Sequence, residues 1–167
     1  MEEPLYAHAL LGFRHWVAGP DMQLYPLVKG HLDRRHAWTP GVNTAICIDK
    51  GAEINAEHSG LAPVGDCSCG IHAYYQDPRM RFEDALLGTI AARGQIRLHR
   101  EGFRCRQAQL LGLLENPVID AEAYAEHYQV PVFSEIAELE AYSLRWTRPL
   151  PTTLIAELEE LKVSDIR

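Results

Sequence analysis

The chain holds no apolar run near the length of about eighteen residues that a membrane-spanning helix needs, so no membrane span is expected. Its opening, MEEPLYAHALLGF, lacks the basic start and the cleavage site of a secretory signal. The expectation is a cytoplasmic protein, a compartment in which thiols stay reduced. GxSxG, HExxH, P-loop and GxGxxG patterns are all missing, so the common signatures of nucleophile elbows, zincins and nucleotide sites are absent. Lysine is scarce, with three against thirteen arginines, and the net charge of −7 argues against whole-surface attraction to nucleic acid or anionic lipid. Disorder is not expected either. With 47% hydrophobic and 23% charged residues, a chain of this length can bury a core.

Three of the four cysteines and one histidine are concentrated instead. Cys47, His58, Cys67 and Cys69 fall within twenty-three residues, TAICID to CSCG. Three thiolates and an imidazole are the donors of a closed tetrahedral Zn²⁺ site. A CxC pair supplies two ligands from one tight turn, and Gly70 lets the backbone approach closely. Such an ion would tie a loop with few apolar anchors, so that its binding energy becomes folding energy. The spacing fits no common finger. Packed thiols and a Cys67–Cys69 redox pair therefore stay open as alternatives. Zinc deaminases place Glu two residues after His and use PCxxC. Here Glu57 precedes His58, so that pattern fails. If only three of the four bound, a water could take the fourth place, with Glu57 or Asp66 as base. Cys105 reads as packed on an apolar helix face.

The mean charge hides a split. Seven arginines and three acids lie between Arg79 and Arg106, and seven acids with no Lys or Arg between Glu115 and Glu140. Arg93, Arg97, Arg100, Arg104 and Arg106, on an expected strand and helix, form a candidate nucleic-acid patch. Phe103 is the one aromatic nearby, so base stacking is thin. The competing reading pairs these arginines with the acidic helices after Asn116. His15 and His72 read as sheet-face histidines with one hydrogen bond each, and His31 and His36 as part of an exposed basic loop.

The pattern of turns and alternation predicts strands first and helices last. Strands are expected over residues 8–18, in QLYPLVKG at a sheet edge, in NTAICID, and in CGIHAYYQ with Ile71, Ala73 and Tyr75 facing one way. The segment from Lys50 to Gly65 reads as loop. DALLGTIAARGQIRLHREGFR reads as a strand pair bulged at Ala92-Arg93-Gly94, with Ile96 and Leu98 inward. CRQAQLLGLLE has helical spacing at Cys105, Ala108, Leu111 and Leu114. Helices are also expected after Asp120, after Ser134 as a cap, and in TTLIAELEELKV with Leu154, Leu158 and Leu161 aligned. The fold class is α+β: a mostly antiparallel sheet with a zinc-stabilised loop at 47–69, and helices in the C-terminal half. Residues 1–150 form one domain and 151–167 an amphipathic C-terminal helix whose stripe offers a contact for a partner or a second copy.

Several strings carry a resemblance: W-T-P-G-V-N-T-A-I-C, then C-x-C-G-I-H-A, then H-R-E-G-F-R-C, then Val130-Pro131-Val132. The chain resembles an uncharacterised family of small bacterial proteins that share W-x-P-G…A-x-C, C-x-C-G-I-Y-A, H-x-x-G-F-R-A and often Y-x-V-P-V. The match includes Trp38, Pro40, Gly41, Ala45, Cys47, Cys67, Cys69, Gly70, Ile71, His99, Gly102, Phe103 and Arg104, over residues 10–135. It departs at His72, where the family has Tyr, and at Cys105, where it has Ala. The resemblance implies no activity, and it implies that Cys105 stands outside the metal site. The leading functional reading is a non-enzymatic regulatory or protein-interaction module stabilised by structural zinc, with an unidentified protein partner. Its alternatives are a nucleic-acid binder, and a zinc hydrolase or thiol redox protein.

Overall fold

The computed structural model of the protein describes residues 9–27, 33–48 and 53–160. Among these, strands β1 (Ala9–Ala18), β2 (Leu24–Pro26) and β3 (Val42–Thr44) come first. Helix α1 (Ala56–Leu61) and strands β4 (Ile71–Tyr74), β5 (Ala85–Leu98) and β6 (Gly102–Leu114) follow. Then come α2 (Ala121–Tyr128), β7 (Val132–Phe133), α3 (Ile136–Ser143), β8 (Thr147–Arg148) and α4 (Thr152–Glu159). This is the expected α+β order. The sheet is antiparallel except where β7 lies on β6 and β8 on β1.

Strands β1, β5 and β6 are its spine. β5 pairs β1 on one side, from Leu10↔Ala92 to Val17↔Ala85, and β6 on the other. β4 joins the two remaining sides: Phe13↔Tyr74 links it to β1, and Ile71↔Cys105 through Tyr74↔Gly102 link it to β6. The ring β1–β5–β6–β4 is therefore closed. β3 and β4 lie end to end along one side of β6, with Thr44 opposite Gln107 and Ile71 opposite Cys105. The segment between them leaves the sheet and returns to nearly the same place.

Apolar residues fill both faces. Trp16, Ile90, Phe103 and Leu113 are fully buried in the main cluster, which also takes in Cys47, Ala62, Cys69 and Ile155 of α4. Burying each of the large side chains contributes about 1.5–3 kcal/mol. On the opposite face, α3 sets Leu139 against Leu87 and Leu114. α2 is capped as expected, with Asp120 Oδ1 accepting from Ala123 N at 3.3 Å.

Several expectations are corrected. The segment from Cys105 to Leu114 is strand, not helix. Its helical spacing arises because register shifts at Thr89/Ile90 and Arg93/Ile96 change which residues face inward, and because Leu110 to Leu114 are covered on both sides. The irregularity at Arg93 lies inside one long strand, and the turn falls after Leu98. Leu98 is 40% exposed rather than inward, while Ile96 packs partly against the core. NTAICID forms a strand only to Thr44, and six residues of the expected loop form α1. The N-cap of α3 is Glu135, without a side-chain cap bond, so Ser134 does not serve. In α4 the buried residue is Ile155, with Leu158 packed beside the core. His31 and Leu161 lie outside the described residues.

Candidate metal centre

Cys47 follows directly from the β3 edge, where Ala45 N donates to Arg106 O at 2.7 Å and carries the pairing one residue further. Its own backbone is then held by the α1 segment. Cys47 N donates to Ser59 Oγ at 2.8 Å, and Asn55 N donates to Cys47 O at 2.8 Å. Asn55 is also the N-cap of α1, accepting from His58 N at 3.0 Å. That cap fixes His58 in the first turn, where Nδ1 stands 3.7 Å from Cys47 Sγ.

The second arm returns through a tight turn. Cys67 N donates to Val64 O at 3.3 Å, and Val64 N points at Cys69 Sγ, 3.4 Å away. Gly70 then adopts φ +118, and a Cβ there would lie 2.9 Å from Pro63 Cβ. Only glycine takes this conformation without strain at so close an approach. β4 begins at the next residue.

One donor atom from each of Cys47, His58, Cys67 and Cys69 lies within 4.8 Å of the other three. A tetrahedral ion with bonds of about 2.3 Å to sulfur and 2.0 Å to nitrogen sets sulfurs about 3.8 Å apart, and sulfur from nitrogen about 3.5 Å. The sulfurs of Cys47 and Cys67 are 3.6 Å apart, far beyond the disulfide length of about 2.05 Å. All four cysteines are free thiols, and Cys105, 0% exposed, is not among the four donors. The four residues can hold a metal ion.

The electrostatics fit a cation. The backbone N–H of Cys69, with smaller help from His58, pulls the Cys67 thiol down to about 7. Burial, together with its hydrogen bond to Cys67, pushes Cys47 up to about 12. The first sulfur to ionise thus keeps its neighbour protonated. Three thiolates at this spacing need a positive charge between them.

Much of the expected basic patch stands behind this loop. Arg104 and Arg106 belong to β6, not to a helix, and Arg97 pairs with Arg104 across the β5–β6 hairpin. Arg106 Nε donates to Ala62 O at 3.0 Å and Arg97 Nε to Pro63 O at 2.9 Å. Arg104, 4% exposed, donates through Nη1 to the carbonyls of Val64 (3.2 Å), Cys67 and Cys69 (2.7 Å). Its Nε donates to His99 Nε2 at 2.9 Å. These guanidiniums hold loop carbonyls rather than the acids of the helices. Arg100 is exposed and Arg93 half-buried.

Sequence reasoning singled out the four residues that could hold a metal ion and missed their supports, Asn55, Ser59 and the three arginines. The one available signal was the Arg-x-Arg alternation at 104 and 106, which on a strand points two guanidiniums to one face. Glu57 and Asp66 are exposed, but Ser59 is turned inward to Cys47. The two sheet histidines each hold one carbonyl: His15 Nε2 bonds Met80 O at 3.0 Å, and His72 Nε2 bonds Ser68 O at 2.8 Å. No helix among the described residues is long and apolar enough to cross a membrane. No protein-family model, curated protein or solved structure matches the chain.

Proposed function

We propose that the protein is a non-enzymatic regulatory or protein-interaction module in which Zn²⁺ fastens the 47–69 loop. The observation that carries this is the clustering of four donor atoms within 4.8 Å, at sulfur and nitrogen spacings that suit a tetrahedron. Three thiolates and an imidazole favour zinc over harder cations. Four protein donors leave no position for a reacting water, so the ion serves as a fastener. It holds α1 and the CxC turn on the sheet and presents Glu57 and Asp66 outward as a contact surface. The nucleic-acid reading loses support because Arg97, Arg104 and Arg106 are committed to loop carbonyls.

Metal analysis of the purified protein tests the reading. Near-stoichiometric zinc is expected, lost in Cys47→Ser, His58→Ala, Cys67→Ser and Cys69→Ser, and kept in Cys105→Ala. Full zinc retention by His58→Ala would show an open position and return the catalytic alternative. For the surface, the pair Glu57→Lys and Asp66→Lys should keep zinc and fold while losing the native partner on co-purification. An unchanged set of co-purifying proteins removes that face from the proposal.

A further inference from the structure

Among the described residues Arg14 stands without a counter-ion. It projects from the middle of β1, where Nη1 donates to His72 O at 2.5 Å. Its Cζ stands 5.5 Å from the Trp38 ring centroid and 5.9 Å from that of Trp16. Its Nε is buried and has no hydrogen-bond partner among the described residues. No carboxylate among the described residues pairs with it. The nearby Cys105 thiol is pushed up to about 12 by burial and stays neutral, so it supplies no balancing charge. Burial pulls Arg14 itself down only to about 10, which leaves it a cation at neutral pH. Arg14 is half-buried, and a charge partly withdrawn from water without a counter-ion is costly, so natural proteins commonly give such a group a partner.

Arg14 also lines a cavity of about 80 Å³. Its size suits a compact ion with a short stem. Trp38 forms an apolar wall, and Arg35 and His36 stand at the cavity as well. Arg35 is already matched by Asp33, with Nη2 to Oδ2 at 2.7 Å and Nε to Oδ1 at 3.0 Å. Asn43 uses its amide on Thr39 O at 3.0 Å. Among the described residues, the charge at the cavity that lacks a match is that of Arg14. The remaining walls are the residues flanking the metal ligands, Ile46 before Cys47 and Gly70 after Cys69.

We infer that this cavity is a binding site for a small oxyanion, a carboxylate or a phosphate, anchored by the Arg14 guanidinium against the Trp38 ring. The planar fork of a guanidinium matches two oxygens of either group. None of the four metal-donor residues lines the cavity.

Calorimetric titration of the metal-loaded protein in a chloride-free zwitterionic buffer tests the inference. One series uses inorganic phosphate, the other acetate and propionate. Saturable uptake of one anion per chain is expected in at least one series, and the series that saturates names the class. Arg14→Gln should weaken that binding roughly tenfold or more, while Arg100→Gln, at an exposed position, leaves it unchanged. Should Arg14→Gln not fold, the arginine Nε–H resonances of the wild-type protein replace it, and one should move with the same saturation. No saturable binding in either series, undiminished binding by folded Arg14→Gln, or no moving resonance would overturn the site.

Discussion

Arg104→Leu removes a single side chain on which much of the loop rests. In the folded protein that guanidinium is 4% exposed and serves three carbonyls, those of Val64, Cys67 and Cys69, through Nη1, and His99 through Nε. A hydrogen bond to a charged group contributes about 1.5–3 kcal/mol. Nη1 carries two hydrogens, so its three acceptors count as two bonds. Some acceptors will find water in the variant. The expected loss is about 3–5 kcal/mol of unfolding free energy, a large share of the 5–15 kcal/mol typical of a domain. A second effect bears on the metal. Three thiolates around a divalent ion leave one net negative charge, and Arg104 lies within electrostatic reach of Cys67 and Cys69. Supporting groups of this kind are worth about 10–100-fold in metal affinity. Arg104→Lys keeps the charge and loses the planar fork, so it should recover affinity better than stability. Urea unfolding of the loaded protein and competition with a chromophoric chelator measure the two quantities. Reduced stability with unchanged metal affinity would refute the view that Arg104 serves the ion, and unchanged stability would refute the bond count itself.

Two further outcomes follow from local geometry. Gly70→Ala should cost about 2–4 kcal/mol, because φ is +118 and the new Cβ would meet Pro63 Cβ at 2.9 Å and Arg104 Cβ at 3.1 Å. Gly41→Ala, at φ +83 with nothing within 4 Å, should cost only about 1 kcal/mol. Urea midpoints decide between them, and the reverse order would sink the argument. Burial raises Cys105 from 9.0 to about 12 and Tyr75 from 10.0 to about 12. The protonated forms are the ones the fold accepts. Their contribution is complete below pH 9 and is lost as pH rises through about 12. Stability should therefore fall over that window, less steeply in Cys105→Ala, and a pH-independent profile would contradict it.

The donor set could be read from the chain because zinc chemistry limits ligands to a few residue types, and Cys47, His58, Cys67 and Cys69 crowd one window. β4 was equally plain, since Ile71, Ala73 and Tyr75 alternate cleanly with more exposed residues. β6 was not, because periodicity assumes an unbroken ladder and one covered face. Bulges and the packing of α3 removed both conditions between Ala108 and Leu114. α1 escaped notice because it is six residues long, contains Gly60, and depends on Asn55 and on the Ser59–Cys47 contact rather than on an apolar stripe. The arginines drew attention for their charge. Their use lay hidden because their acceptors are peptide carbonyls, which every residue carries.

The end-to-end placement of β3 and β4 makes them two halves of one interrupted strand, completed only when the excursion between Cys47 and Cys69 comes home. A nascent chain that has laid down Thr44 must bring Ile71 back beside Cys105 before the seam is sealed. Until then the flank of β6 from Gly102 to Cys105 displays unsatisfied amides and carbonyls, an invitation to self-templated aggregation. On the proposed role of the ion as a fastener, clasping the two arms together would remove that hazard in the same act that closes the ring, and ion supply during synthesis would then bear on solubility.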